Sequence, residues 1–149
     1  DLENKKNIFM EFISDSMSEY TCDCYYAADH TLRCCIPRRR MEVRAGEVSK
    51  AITVRDFVYD KLVKDCYELP GARGPITIQL FVDDVNEVMM GLEINARLGG
   101  GYPLSEYVGG NYPKKIIREY LLDEKIDFFD GWTSDVLMLR YDQQIFVNP

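Results

Sequence analysis

Histidine is almost missing from this chain: His30 is the only one in 149 residues. Chemistry that needs a histidine is therefore confined to one position, and that position lies in Ala27-Ala28-Asp29-His30, which reads as a turn. A solvent-exposed turn residue is the expected role, with no catalytic work assigned. Long apolar runs are missing too. Nothing approaches the roughly 20 residues of a membrane span, and Asp1-Leu2-Glu3-Asn4-Lys5-Lys6 lacks signal-peptide character. No membrane association is expected, and the reading is cytoplasmic. A surplus of positive charge is also lacking. The net charge of −7 argues against a general nucleic-acid binder, though it leaves room for a local anion site.

The five cysteines, Cys22, Cys24, Cys34, Cys35 and Cys66, lack the paired spacing of a zinc knuckle. Adjacent Cys34 and Cys35 would also point to opposite faces of a strand. Reduced thiols acting as small core hydrophobes are expected. No internal repeat, low-complexity tract or linker breaks the chain. With 46% apolar and 29% charged residues, it has the length and composition of one soluble globular domain.

What is present is mostly strand. Ile8–Ile13, Glu19–Tyr26 and Thr31–Ile36 read as strands separated by short turns. Pro37–Lys50 then carries four arginines and a lysine in an acidic protein. Those cations could pair with the surplus acids along a solvated edge strand, or receive a polyphosphate beside the closely approaching Gly46. Thr53–Leu69 reads as a helix, with Thr53-x-x-Asp56 as its capping box and Pro70-Gly71 as its stop. Asn111–Leu122 reads as a second helix with Pro113 near its start. A closing hairpin is expected from Val136–Tyr141 and Ile145–Val147 around Asp142-Gln143-Gln144. The fold class is α+β, a mostly antiparallel sheet with two main helices that can cover one face.

The segment from Gly74 to Pro103 carries the chemistry. Ile76, Ile78, Leu80 and Val82 point to one side of a strand, and Thr77, Gln79, Phe81 and Asp83 to the other. Asp83–Glu87 makes a turn. A second strand then places Leu92, Ile94 and Ala96 on one face and Glu93, Asn95 and Arg97 on the other. A turn centred near Asn86 sets Gln79 across from Glu93, where Cβ atoms sit about 4.5–5.5 Å apart. Oxygens from Gln79, Glu93 and Asn95 could then converge on one hard cation such as magnesium, and Arg97 could hold a phosphate or carboxylate. The same pattern also fits a solvated face of a half-exposed sheet. Gly99-Gly100-Gly101 can present backbone N–H groups to an anion or simply turn the chain.

Gln79-x13-Glu93-Ile-Asn95-Ala-Arg97, followed by Leu-Gly-Gly-Gly-Tyr-Pro, resembles the C-terminal half of an ATP-grasp domain. The likeness is to the carboxylate ligases that resemble the large subunit of carbamoyl-phosphate synthase. Arg38–Lys50 resembles the substrate- and phosphate-facing loop of that group. Met10–Ile13 with Glu19 resembles its adenine-edge strand and ribose-binding acid. The resemblance implies an enzyme that phosphorylates a carboxylate (or bicarbonate) to an acyl-phosphate, which an amine or ammonia then attacks.

It further implies Gln79, Glu93 and Asn95 as ligands of Mg2+ (or Mn2+), with Arg97 and Arg44 on the γ-phosphate or acyl-phosphate. Glu11, Phe12 and Ile13 would face the adenine of ATP, and Glu19 the ribose. Arg38, Arg40 and Lys50 would take part in nucleotide binding, and Gly99–Gly101 would lie near the substrate carboxylate. Ala96 stands where many relatives have proline, away from the metal face. The N-terminal half of the grasp, with its lysine and glycine-rich flap, is not found. Residues 1–149 are therefore expected to be part of a longer chain, to need the other half in cis or in trans, and not to turn over ATP alone. The remaining partners are small carboxylate and amine substrates, with homo-oligomerisation open. A non-catalytic nucleotide-binding or regulatory module, or an anion-binding interaction domain, is the alternative.

Overall fold

The computed structural model describes residues 9–141. Six strands form one antiparallel sheet: β1 (Ser18–Tyr26), β2 (Leu32–Arg44), β3 (Glu47–Thr53), β4 (Gly74–Asp83), β5 (Val88–Asn95) and β6 (Leu137–Leu139). Their spatial order is β5-β4-β1-β2-β3-β6. Three helices, α1 (Phe57–Asp65), α2 (Tyr102–Tyr107) and α3 (Tyr112–Tyr120), complete the described elements.

β1 is central, and both of its faces are buried from Tyr20 to Tyr26. Tyr20, Cys22 and Cys24 share one face with Leu80, Ile78 and Ile76, their cross-strand partners on β4. Helix α1 closes that face: Asp56 caps it by accepting from Val58 N, and Tyr20 OH donates to the same carboxylate at 2.9 Å. Tyr26 OH donates to the Cys66 carbonyl just beyond the helix. The other face carries Glu19, Thr21, Asp23 and Tyr25. Helices α2 and α3 cover only the Asp23–Tyr25 end, where Tyr112 OH donates to the Asp23 carbonyl at 2.7 Å and Tyr25 OH donates to Glu119. None of the described helices covers the Glu19–Thr21 end, although Thr21 itself is buried. The helices thus lie on opposite faces rather than one, because Tyr112 and the apolar stripe of α1 meet residues of opposite parity on β1.

Several expected boundaries move. The strand over Ile8–Ile13 does not form within the described residues: 9–14 carry no strand pairing, since period-two apolar residues make a strand only where a neighbouring edge receives their hydrogen bonds. The third strand does not stop at Ile36. It continues through Pro37, which has no N–H to donate, as far as Arg44, so the arginine-rich loop is instead a β2–β3 hairpin turning at Ala45-Gly46. The helix over Thr53–Leu69 shortens to Phe57–Asp65. Thr53 ends β3, where its hydroxyl donates to the Thr133 carbonyl and accepts from Val136 N, leaving the cap to Asp56.

α2 was not expected, and the second helix keeps its position with slightly tighter ends. β6 pairs with β3, while the other arm of the expected closing hairpin, Ile145–Val147, lies outside the described residues. His30 is half-buried rather than an open tip. Its Nδ1 lies 2.9 Å from the Ala72 carbonyl, and its φ is +67°.

The five thiols are free, and four are buried in the core. Among the described residues no group of three His, Cys, Asp or Glu side chains could hold a metal ion, and no helix is long and apolar enough to cross a membrane. Burial pushes the Cys34 thiol up to about 12 from an ordinary 9.0. The folded protein therefore keeps a proton that the unfolded chain releases near its ordinary value. Stability should be flat with respect to this group below that value, then fall until it is lost as the pH rises through about 12. Urea midpoints measured across this window check it, and a midpoint that rises with alkalinity contradicts it.

Candidate functional site

The register of the central strands assembles the site on the open face. Glu93 pairs with Gln79 on β4, Gln79 with Thr21 on β1, and Thr21 with Arg38 on β2, so four strands contribute one row of side chains. A second row runs from Met90 through Phe81 and Glu19 to Arg40. A third begins with Asn95, Thr77 and Asp23. Residues more than fifty positions apart become neighbours because each strand shows every second side chain to this face.

The expected Gln79–Glu93 contact is present: Gln79 Nε2 donates to Glu93 Oε1 at 2.6 Å, and Asn95 Nδ2 donates to the same oxygen at 2.9 Å. Asp83 shapes the turn by accepting from Val85 N and Asn86 N. A bulge after Gln79 shifts the following pairs.

Arg40 Nη1 donates to Glu19 Oε1 and, at 3.3 Å, to Gln79 Oε1, tying the second row to the first. Arg97 donates to the adjacent Leu98 carbonyl and has no carboxylate partner among the described residues. Arg38 is buried, with only 1% of its surface exposed. Its Nε donates to Asp23 Oδ2 at 2.7 Å, and Ser105 Oγ donates to that same oxygen. Both Arg38 Nη atoms are buried without a hydrogen-bond partner.

A polar cavity of about 260 Å³ joins these groups, lined by Arg38, Arg40, Arg97, Gln79, Glu93 and the glycine triplet among others. A second cavity of about 350 Å³ lies between Met10–Ile13 and Phe81, with Met90 and Leu92. Glu19 sits between the two, paired with both Phe81 and Arg40. A larger cavity, about 560 Å³, lies chiefly between α1 and the back of β4–β5 and is mostly apolar. We assign the site to the smaller polar cavity, because there the charged groups converge.

Of the residues singled out from sequence, Gln79, Glu93, Asn95, Arg97, Arg38, Arg40 and Glu19 share this face, with Glu11, Phe12 and Ile13 along its apolar end. Arg44 and Lys50 do not join them. Arg44 sits at the tip of the β2–β3 hairpin beside a separate small cavity, 3.9 Å from Glu42. Lys50 neighbours Ala51, the partner of Arg40, and so points to the opposite face. Phe81 and Asp23 were not singled out as site residues. Phe81 shares parity with Gln79, and Asp23 with Glu19, so period two alone could have found both. Glu47 was missed for lack of a signal, since only the hairpin turn brings it to the cavity.

An antiparallel sheet with an open polar face and helices packed on it is the α+β arrangement expected of an ATP-grasp subdomain. Residues 3–137 match the family described as "ATP-grasp in the biosynthetic pathway with Ter operon", and the chain belongs to that family. No curated protein matches the sequence. Urea carboxylase from Kluyveromyces lactis is similar in structure, with a TM-score of 0.56, 16% identity, and coverage of 83% of this chain but 12% of that one. Biotin carboxylase from Campylobacter jejuni, solved as a complex with β,γ-ATP, has a TM-score of 0.54 at 16% identity, covering 72% of this chain and 26% of that one. Pyruvate carboxylase from Rhizobium etli has a TM-score of 0.56 at 12% identity, covering 81% of this chain and 13% of that one. The chain therefore spans between 12% and 26% of these three proteins.

Proposed function

We propose that this chain supplies the nucleotide- and metal-binding half of an ATP-dependent carboxylate ligase. One observation carries the reading. A single open face holds, in spatial order, an apolar cleft, a carboxylate tied to arginine, a Glu–Gln–Asn oxygen cluster and an arginine with no carboxylate partner among the described residues. That is the polarity sequence of a nucleotide laid from base to terminal phosphate. Family membership and the structural likeness to a biotin carboxylase bound to a nucleotide support it.

In this reading Met10–Ile13, Phe81 and Leu92 enclose adenine, and Glu19, steadied by Arg40, accepts from the ribose hydroxyls. Glu93, Gln79 and Asn95 fit a magnesium or manganese ion. One carboxylate and two amide oxygens form a hard, partial donor set of the kind that leaves positions for water and phosphate. The amides now turn their nitrogens toward Glu93, and rotating each amide plane would present its oxygen instead. When bound, the ion would neutralise phosphate oxygens and help orient them.

Arg97, free of any carboxylate among the described residues, and Arg40 hold the terminal phosphates. Arg44 and Lys50 add positive potential from the hairpin rather than direct contact. The finer reaction is attack of a carboxylate (or bicarbonate) on the γ-phosphate, followed by displacement of phosphate from the acyl-phosphate by an amine or ammonia, as in carbamoyl-phosphate-synthase-like ligases. The rest of the grasp, in cis or in trans, completes the site. Calorimetry on the full-length protein should show ATP binding that requires Mg2+ or Mn2+. ATP affinity unchanged by EDTA sinks the proposal.

A further inference from the structure

We propose that Thr77 is the positioning residue for Arg97, fixing the backbone that carries the guanidinium to the γ-phosphate. This rests on the ligase reading above and names the group that holds its phosphate-facing arginine in place.

The need for such a group follows from where the sheet ends. Asn95 is the last residue of β5, and Thr77 is its partner on β4. Two residues later the ladder no longer carries the chain, and Arg97 N donates back to the Asn95 carbonyl at 2.9 Å. The exposed Arg97 guanidinium meets the Leu98 carbonyl at 3.3 Å, a contact within its own segment. Its position is therefore only as well defined as the backbone beneath it. An arginine whose origin is loose loses much of a phosphate contact to the entropy of ordering its long side chain.

Thr77 supplies the support. Its Oγ1 donates to the Arg97 carbonyl at 2.8 Å. The hydroxyl has one proton to give, and the competing acceptor, Asp23 Oδ1, stands farther off at 3.5 Å. Thr77 is 2% exposed and β-branched, so packing leaves its χ1 little freedom. The same side chain receives the start of the glycine triplet. A Cβ at residue 99 would stand 3.3 Å from Thr77 Cγ2 and 3.4 Å from Oγ1, so the backbone there lies close against it. One buried side chain thus holds the segment at two points, Arg97 and Gly99.

Without the hydroxyl, the Arg97 carbonyl turns to water and the guanidinium loses its fixed origin. Under the ligase reading this arginine reaches the γ-phosphate. The loss then falls on ATP and spares ADP, which lacks that group. A general loosening of the fold would weaken both nucleotides.

The test uses the full-length protein and measures Mg2+-ATP and Mg2+-ADP affinities by calorimetry, beside a urea melt. Thr77→Val, which keeps the shape and loses the hydroxyl, should weaken ATP binding about 10-fold, the worth of one charge-assisted contact, and leave ADP within about twofold. Thr77→Ser, which keeps the hydroxyl, should bind ATP as the unaltered protein does. Arg97→Ala should show the same ATP-selective loss, and adding Thr77→Val to it should weaken ATP no further, because the two residues act as one unit. Should Thr77→Val melt too readily to titrate, Thr77→Ala takes its place under the same criteria. Unchanged ATP affinity in Thr77→Val, equal losses for ATP and ADP, the same loss in Thr77→Ser, no ATP-selective loss in Arg97→Ala, or losses that add in the double variant each overturn the inference. Mg2+-ATP binding by the unaltered protein leaves the ligase reading standing in all of those cases. Its absence overturns both.

Discussion

Glu93→Ala is expected to lower metal-dependent ATP affinity on the order of 100-fold or more, since even groups that only support a metal ligand are worth about 10–100-fold. Glu93 is the hub of the oxygen cluster. Its Oε1 accepts from both Gln79 and Asn95, so losing it removes the only carboxylate of the set and the anchor that holds both amides. The side chain is exposed, so its loss leaves no buried group unpaired, and stability should change by no more than about 0.5 kcal/mol. That separation makes the variant informative. Calorimetry with Mg2+-ATP, beside a urea melt, should show a large loss of affinity at nearly constant stability. Retained affinity would remove Glu93 from the metal site, and an anion-binding interaction domain would then be the better reading.

Asp23→Ala is expected to have the reverse profile, with a loss of about 3–5 kcal/mol in stability. Asp23 and Arg38 are each 1% exposed, and the carboxylate is the only acid paired with Arg38 among the described residues. Removing it strands a guanidinium in the interior and also takes the acceptor from Ser105 Oγ. A small domain typically has only about 5–15 kcal/mol of total stability, so a displaced urea midpoint should be unmistakable. A midpoint within error of the unaltered protein would show that Arg38 reaches other acceptors.

The buried alternation of Ile76, Ile78, Leu80 and Val82 was legible because period two is a local property. The Gln79–Glu93 pairing matches the expectation from a turn near Asn86, but the turn does not set it: the register from Asp83–Val88 to Leu80–Gly91 would put Gln79 opposite Leu92, and the bulge between Gln79 and Leu80 brings Glu93 there instead. The arginine segment was not legible. Pro37 is a strand-breaking signal, and its continuation through β2 depends on β1, which pairs it opposite Cys22. Nor was the start of α1, because Thr53 and Asp56 are both capable caps. The choice between them was made by Thr133 and Val136, which occupy the Thr53 hydroxyl from eighty residues away.

By itself, the sequence determined which residue types the sheet would present and in what alternation: the apolar face of β4, the polar face of β5, and the order of motifs that places the chain among ATP-grasp proteins. Those are local properties, set by period two and by turn chemistry. Only the tertiary structure decided that Arg38 and Arg40 line the polar cavity while Arg44 and Lys50 do not, that Asp23 is the buried counter-charge, and that Glu47 meets the glycine triplet. These relations run across strands far apart in sequence, and the lateral order β5-β4-β1-β2-β3 brings them together. Lateral order follows from how whole faces bury against α1 on one side and Tyr112 on the other, which no single segment encodes.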